Sequence, residues 1–362
     1  MRLGILTFHC ANNYGAVLQC YALQEYLNSL GHEVFVIDYR PSFLVEKYAC
    51  FSWKRWKAKS VGKTIMRFLI EPYLFFVRLR RIHRLERFLS SKLHLFPYSK
   101  DYNYSDFDAI ILGSDQIWNP NLTGKQFDEV YFGKGFKCKK IAYAVSNRSV
   151  SLNDAERCFY KEHLKELDFI GVRESSFLSL LQPLTDKEVV MNVDPTLLSD
   201  KRWTLGLPLM RPVLKDYVML YEVTRHQKNR SLASHYAKRN GFAFVELTGA
   251  LSLSCRDAYH LDQTASPEKF LSYINFSSCV FTTSFHGVAL SILLNKDFFY
   301  LRQHTDADIR IESLLEILVI RDRMIETDEI PDIKPIDYSK VQRKLEAFRL
   351  SSVQYLLNAI NN

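Results

Sequence analysis

Residues 3–8, Leu-Gly-Ile-Leu-Thr-Phe, are an apolar run of strand length, and residues 16–30 carry Val17, Tyr21, Leu23, Leu27 and Leu30 at roughly helical spacing. Gly31 is a good helix stop, and residues 33–37 form a second strand ending at Asp38. Strand, helix and strand in this order give a parallel pair, because parallel strands need a crossover connection. That unit constrains everything after it, since a parallel sheet is buried on both faces and must be flanked by helices.

The alternation continues with strands expected at 107–112, 139–145, 169–172 and 188–192, and a helix at 154–167. It lapses between Leu198 and Leu214, where Pro208 and Pro212 fall, and the domain boundary is expected there. A second run follows, with strands at 217–222, 242–247, 279–283 and 298–301 and helices at 227–240, 267–274, 288–294 and 309–319. A terminal helix at 340–360 is long enough to pack back across the first domain. The chain of 362 residues supports two domains with separate cores: 1–200, then 201–335, with 336–362 as the returning helix.

Residues 42–96 interrupt the pattern. Aromatic and aliphatic residues interleave there with a dense run of Lys and Arg, which reads as two basic amphipathic helices, the second started by Pro72. This helical insertion in the first domain is either a solvated basic face or a contact with an anionic membrane surface. No recognised motif accompanies the charge, so nucleic acid is not an expected partner. The formal net charge of +8 favours anionic ligands generally. Seven cysteines show no metal-ligand spacing, which fits free thiols in a reducing cytoplasm, and no metal is expected. The N-terminus runs straight into a strand without signal-peptide architecture, and no apolar run reaches the ~20 residues that span a bilayer.

Function is expected at the strand ends. In open parallel sheets ligands bind outside the carboxyl ends of the strands. His9-Cys10-Ala11-Asn12-Asn13-Tyr14-Gly15 follows the first strand and is no dinucleotide fingerprint. Its amides suit a hydroxyl-rich or anionic ligand, or serve as turn residues. Ser114, Asp115 and Gln116, then Arg173 and Glu174, then Asp194, end later strands. In the second domain, residues 279–283 stop at Ser284-Phe285-His286-Gly287, where a helix begins. A helix start presents free N–H groups to an anion, with His286 beside it as a titrating group or as a packed, helix-capping histidine.

Taken in order, Thr7-Phe8-His9-x-Ala11-Asn12-Asn13-Tyr14-Gly15-Ala16-Val17-Leu18-Gln19, Gly113-Ser114-Asp115-Gln116-x-Trp118-Asn119, Val172-Arg173-Glu174-x-Ser176, Asp194-Pro195-Thr196 and Ser284-Phe285-His286-Gly287 resemble the polysaccharide pyruvyl transferase family. The resemblance implies an α/β fold of two Rossmann-like domains facing across a cleft, similar to the GT-B glycosyltransferases. It implies transfer of a pyruvyl group from phosphoenolpyruvate to sugar hydroxyls, with ketal formation in cell-surface polysaccharide biosynthesis. Phosphoenolpyruvate is then a donor substrate and no cofactor is required. The acceptor is a saccharide or a lipid- or nucleotide-linked glycan, and the expected place is the cytoplasm, extending to the inner face of the cell membrane. Two other readings keep the fold: a nucleotide-sugar glycosyltransferase, and a non-catalytic glycan-binding relative.

On the transferase reading His286, Asp115 and Arg173 are the catalytic candidates. An imidazole suits either proton transfer and a guanidinium suits a carboxylate. Asn12, Asn13, Gly15, Ser114, Gln116, Ser284 and Gly287 line the substrates, and Arg302 or Arg310 meets the donor phosphate. One departure stands out: family members often carry Arg-Leu-His-Gly where this chain has Ser284-Phe285-His286-Gly287. Ser284 therefore removes one ligand for the donor anion, and His9 and the 42–96 insertion are candidate replacements.

Overall fold

The computed structural model describes residues 1–50, 61–147, 151–251, 260–326, 330 and 334–362, with the backbone alone at 61–69. The first sheet holds β1 (Arg2–Leu6), β2 (Glu33–Asp38), β3 (Leu95–Pro97), β4 (Ala109–Leu112), β5 (Lys139–Val145), β6 (Phe169–Val172) and β7 (Val189–Met191). Its order is β3-β2-β1-β4-β5-β6-β7, with every pairing parallel. The second holds β8 (Tyr217–Glu222), β9 (Ala243–Thr248), β10 (His260–Asp262), β11 (Cys279–Thr282), β12 (Phe298–Leu301) and β13 (Met324–Ile325). Its order, β10-β9-β8-β11-β12-β13, repeats the first six positions of the first sheet, again all parallel. Each sheet is thus Rossmann-like, with a switch point where chain direction across the sheet reverses: between β1 and β4, and between β8 and β11.

The helices are α1 (Tyr14–Ser29), α2 (Ser42–Tyr48), α3 (Val61–Lys92), α4 (Asp154–His163), α5 (Ser175–Leu181), α6 (Pro195–Leu198), α7 (Gln227–Arg239), α8 (Pro267–Asn275), α9 (Phe285–Leu293), α10 (Ala307–Leu318) and α11 (Tyr338–Asn361). One apolar cluster runs from Leu3 and Val17 through Leu197 to Phe270, Val288 and Leu293, so the two halves share buried surface. Tyr14 of α1 stacks on Phe270 of α8 with ring centres 4.6 Å apart.

The long terminal helix straps both halves. Near its start, Gln342 Nε2 donates to Asn295 Oδ1 at 2.8 Å in the second half. Further on, Arg349 Nε donates to the Leu197 carbonyl at 2.6 Å, Val193 N to Ser352 Oγ at 2.9 Å and Tyr355 OH to the Ala142 carbonyl at 2.8 Å, all in the first.

The insertion differs from expectation. Pro72 lies inside α3 and does not start a helix. A proline withholds one N–H from the helical ladder. Here α3 is held beyond it by Leu85, Phe88 and Leu89, buried against α1, and Glu71 and Arg78 pair across the proline. Trp53, Lys54, Arg55 and Trp56 lie outside the described residues. The short strands β3, β10 and β13 had no signal in the sequence, because two or three residues at a sheet edge carry no measurable period.

Candidate active site

Three strand ends of the first sheet, those of β4, β6 and β7, and one of the second, that of β11, meet at Asp194. This residue caps α6: its Oδ1 accepts from Thr196 N at 3.0 Å and from Thr196 Oγ1 at 2.7 Å, with Pro195 at the first helical position. Capping turns Oδ2 away from the helix, where it meets three groups. Arg173 Nη1 donates to it at 2.7 Å, Ser114 Oγ at 3.2 Å, and His286 Nε2 lies 3.5 Å away. Burial alone would raise the Asp194 pKa, but His286 and Arg173 outweigh it and hold the carboxyl well below its usual range. It is a fixed negative charge between a guanidinium and an imidazole.

His286 occupies the first turn of α9 and is buried. Its Nε2 edge faces Asp194, and its other edge lies on Gly15. A Cβ on Gly15 would come 2.2 Å from both Cγ and Nδ1 of the imidazole. Gly15 is itself in the first turn of α1, where the capping Asn13 Oδ1 accepts from its N–H at 3.0 Å. The N-termini of α1 and α9 therefore abut, each with unpaired N–H groups and partial positive charge. Gly287 lets α9 start tightly against β11, since a Cβ there would fall 2.3 Å from Thr282 Oγ1. Ser284 precedes the helix without a side-chain cap, its N–H donating to Thr282 Oγ1 at 3.0 Å.

Beside the imidazole two arginines flank one ring. The guanidinium of Arg173 lies 4.4 Å from the centre of Phe285, and that of Arg310, from α10, 5.9 Å away. Arg173 is 2% exposed and sits behind His286. Arg310 is half-buried. Burial and then the like charge of Arg173 push its pKa down to about 10, against the pull of Glu174 and Asp115. With the amide oxygen of Gln116 turned toward it, Arg310 donates through Nη1 and Nη2 at 3.1 and 3.2 Å. Asp115 takes a left-handed backbone, φ 77°, its Oδ1 accepting from Gln116 N at 2.8 Å and lying 3.9 Å from Arg173 Nη2. Glu174 accepts from Ser146 Oγ at 2.8 Å and Asn147 N at 3.1 Å; burial raises its pKa, opposed by Arg173 and Arg310. Among the described residues no group of three or more His, Cys, Asp or Glu is placed to hold a metal ion.

The profile of one family, described as polysaccharide pyruvyl transferase, matches residues 13–305, which takes in all of these groups except Arg310. The chain belongs to the polysaccharide pyruvyl transferase family. Membership makes it a transferase acting on glycans. No curated protein matches the sequence at a significant level. Among solved structures it is similar to UGT89C1 of Arabidopsis thaliana, crystallised with UDP-L-rhamnose, at 10% identity and a TM-score of 0.46, over 99% of this chain and 97% of that one. It is similar to the glycosyltransferase SnogD of Streptomyces nogalater at 10% identity and 0.47, over 99% of both chains. It is also similar to the UDP-GlcNAc 2-epimerase of Methanocaldococcus jannaschii at 11% identity and 0.45, over 96% and 92%. At this distance no ligand carries over from them.

In this pyruvyl transferase family member His286, Asp115, Arg173, Ser114, Gln116, Arg310, Asn13, Gly15, Ser284 and Gly287 fall in one connected region. Ser114 is wholly buried, spending its hydroxyl on Asp194. Asn12 remains half-buried in the loop before α1. Arg302 stands apart: it pairs with Glu312 at 2.8 Å and Glu326 at 3.6 Å beyond the end of β12. His9 is also excluded as a ligand group, being wholly buried with Nε2 2.8 Å from Asp38 Oδ1. The insertion does reach the cleft, because Arg81 lies 5.4 Å from the Tyr14 ring centre and donates to the Gly249 carbonyl at 2.9 Å. Sequence reasoning missed the hub itself. At the level of sequence Asp194 is at most an ion-pair partner for Arg173, as Glu174 also is, and with Pro195 a helix-start signal at a strand end; its meeting with His286 and Ser114 is not legible there. Phe285 carries no signal of its ring's role outside three dimensions.

Proposed function

We propose that this protein transfers a pyruvyl group from phosphoenolpyruvate to two hydroxyls of a sugar, forming a ketal on a cell-surface polysaccharide or its lipid- or nucleotide-linked precursor. The observation that carries this reading is Arg310. It is a cation brought from the second half to Gln116 of the first, with its pKa lowered by burial and by Arg173. An anion entering there relieves both causes, and the donor brings a carboxylate and a phosphate. Arg310, with the abutting starts of α1 and α9, supplies the positive character that Ser284 does not.

The reaction moves two protons. One acceptor hydroxyl adds to C2 of the donor as C3 takes a proton and becomes a methyl group. The second hydroxyl then displaces phosphate at C2, and its proton leaves with the phosphate. His286, held by the permanently charged Asp194, is the group we assign to proton transfer, a role typically worth ~10²–10⁴-fold. Asp115 takes the proton of an acceptor hydroxyl, with Asn12, Asn13 and Gly15 on the acceptor side. Arg173 positions this set by fixing Asp194. The proposed setting is the cytoplasm. No metal or organic cofactor is part of the proposal.

Incubation with phosphoenolpyruvate and a panel of glycans tests it. Phosphate release should accompany a pyruvyl mass increment on one acceptor, and His286→Gln should abolish both. Phosphoenolpyruvate should raise the thermal midpoint while nucleotide sugars do not. Stabilisation by a nucleotide sugar alone, with no phosphate released from phosphoenolpyruvate, would overturn the donor assignment.

A further inference from the structure

Large apolar side chains exposed to solvent are scattered on most of the surface but not on α3. Of the fourteen exposed ones among the described residues, four fall within seven positions: Tyr73 at 51%, Phe75 at 36%, Phe76 at 67% and Leu79 at 46%. A contiguous patch of this kind on a helix marks an interaction surface, whereas single exposed apolar residues need no explanation. The same outer face continues into charge. Phe76, Leu79 and Arg80, His83 and Arg87 follow one another at helical spacing, and Arg80, His83 and Arg87 are exposed. The carboxylates on this stretch are already taken, Glu71 by Arg78 and Glu86 by Arg40.

Next to this face lies a cavity of about 470 Å³, formed between α3 and the segment leading from β10 into α8. Tyr73 and Phe76 form its apolar side, and Arg80, Arg84 and Lys269 bring cations to it. Among the described residues its one carboxylate, Asp262, is 2.7 Å from Lys269 Nζ. Three cations against one carboxylate leave the cavity positive. Apolar rings beside net positive charge match one kind of partner, a bilayer whose phosphate headgroups carry negative charge above an acyl layer. A polynucleotide would answer the charge and leave the rings in water.

We propose that the Tyr73–Arg87 face of α3, with the cavity it forms against His260 and Lys269, docks the protein on the anionic phospholipid surface of a bilayer. Phe76 and Leu79 enter the headgroup–acyl boundary, and a lipid phosphate sits among Arg80, Arg84 and Lys269. The helix is fixed for this role at the seam of the molecule: Arg81 and Arg84 donate to the Gly249 and Thr264 carbonyls of the second half at 2.9 and 2.5 Å. A protein docked this way would share the membrane surface with a lipid-carried acceptor. That last consequence rests on the glycan-transfer reading, whereas the docking does not.

Vesicle sedimentation without any donor tests it separately from catalysis. The full chain should pellet with phosphatidylcholine vesicles containing phosphatidylglycerol, remain in solution with phosphatidylcholine alone, and come off the anionic vesicles at high salt. Arg80→Glu with Arg87→Glu should lower the bound fraction more than about tenfold, as expected for reversing two charges near an anionic surface. Phe76→Ser with Leu79→Ser should weaken binding several-fold while charge is unchanged. These positions are exposed, so thermal midpoints should match the parent and exclude misfolding as the cause. Binding to neutral vesicles as strong as to anionic ones would overturn the proposal. So would parent-like binding by both double variants, or no vesicle binding together with retention of duplex DNA.

Discussion

A methyl group at Gly15 would lie 2.2 Å from Cγ and Nδ1 of His286, in a buried contact between two helix starts with little room to give. Gly15→Ala should therefore displace the imidazole from Asp194. The expected loss of transfer activity is at least about 100-fold, the size of losing a positioned proton-transfer group. Circular dichroism should remain that of the parent. Asp194 makes the complementary prediction. Replacing one member of a buried ion pair strands the other, so Asp194→Asn should cost about 3–5 kcal/mol in urea unfolding at pH 7 through Arg173. The sign with pH is fixed by the lowered pKa. The carboxylate's contribution is complete above the unfolded value of about 3.9 and fades as pH falls below it. The parent should thus lose this stability on acidification below about pH 4, and the Asn variant should lack that slope.

At the level of elements, the end of β8 carries a carboxyl of the opposite kind. Glu222 is buried and accepts from Asn229 Nδ2 and His226 N, yet burial still pushes its pKa up to about 7. A native pKa above the unfolded value of about 4.3 means the folded state holds the proton longer. Stability should then fall as pH rises from about 4 to about 7, by on the order of 3 kcal/mol. Thermal midpoints measured from pH 5 to pH 8 should show that decline in the parent and a shallower one in Glu222→Gln. The main elements were legible from their periods. The strand at Lys139–Val145 and the helix at Phe285–Leu293, expected from 288 and starting three residues earlier, need only alternation of apolar length and turn chemistry. Pro72 misled because its local meaning, a helix start, was overridden by anchoring of the same helix at Leu85 and Phe88.

Across the whole molecule, α11 ties the two halves together. It bonds to Asn295 in one half and to Leu197, Val193 and Ala142 in the other, and it buries Leu345, Leu356 and Ile360. A chain ending at Asp337 exposes the apolar surface those residues cover. Burying one such side chain is worth ~1.5–3 kcal/mol, so three approach the stability of an ordinary domain. Truncation there should give aggregation-prone protein with both halves destabilised, read as a lowered midpoint in differential scanning fluorimetry and loss of the monodisperse peak in size exclusion. Among the described residues no helix is long and apolar enough to cross a membrane.

The sequence by itself determined the two runs of parallel strands, because hydrophobic period and turn residues are local properties that each segment carries alone. It also marked most polar residues of the site, since ends of parallel strands share one edge and only a few side-chain types serve proton transfer or anion binding. The tertiary structure alone decided their roles. It made Asp194 the hub, set Arg173 behind His286, and brought Arg310 to the cleft while sending Arg302 to Glu312 and His9 to Asp38. Which charge meets which is settled by packing between separate elements of the fold, and no local pattern encodes it.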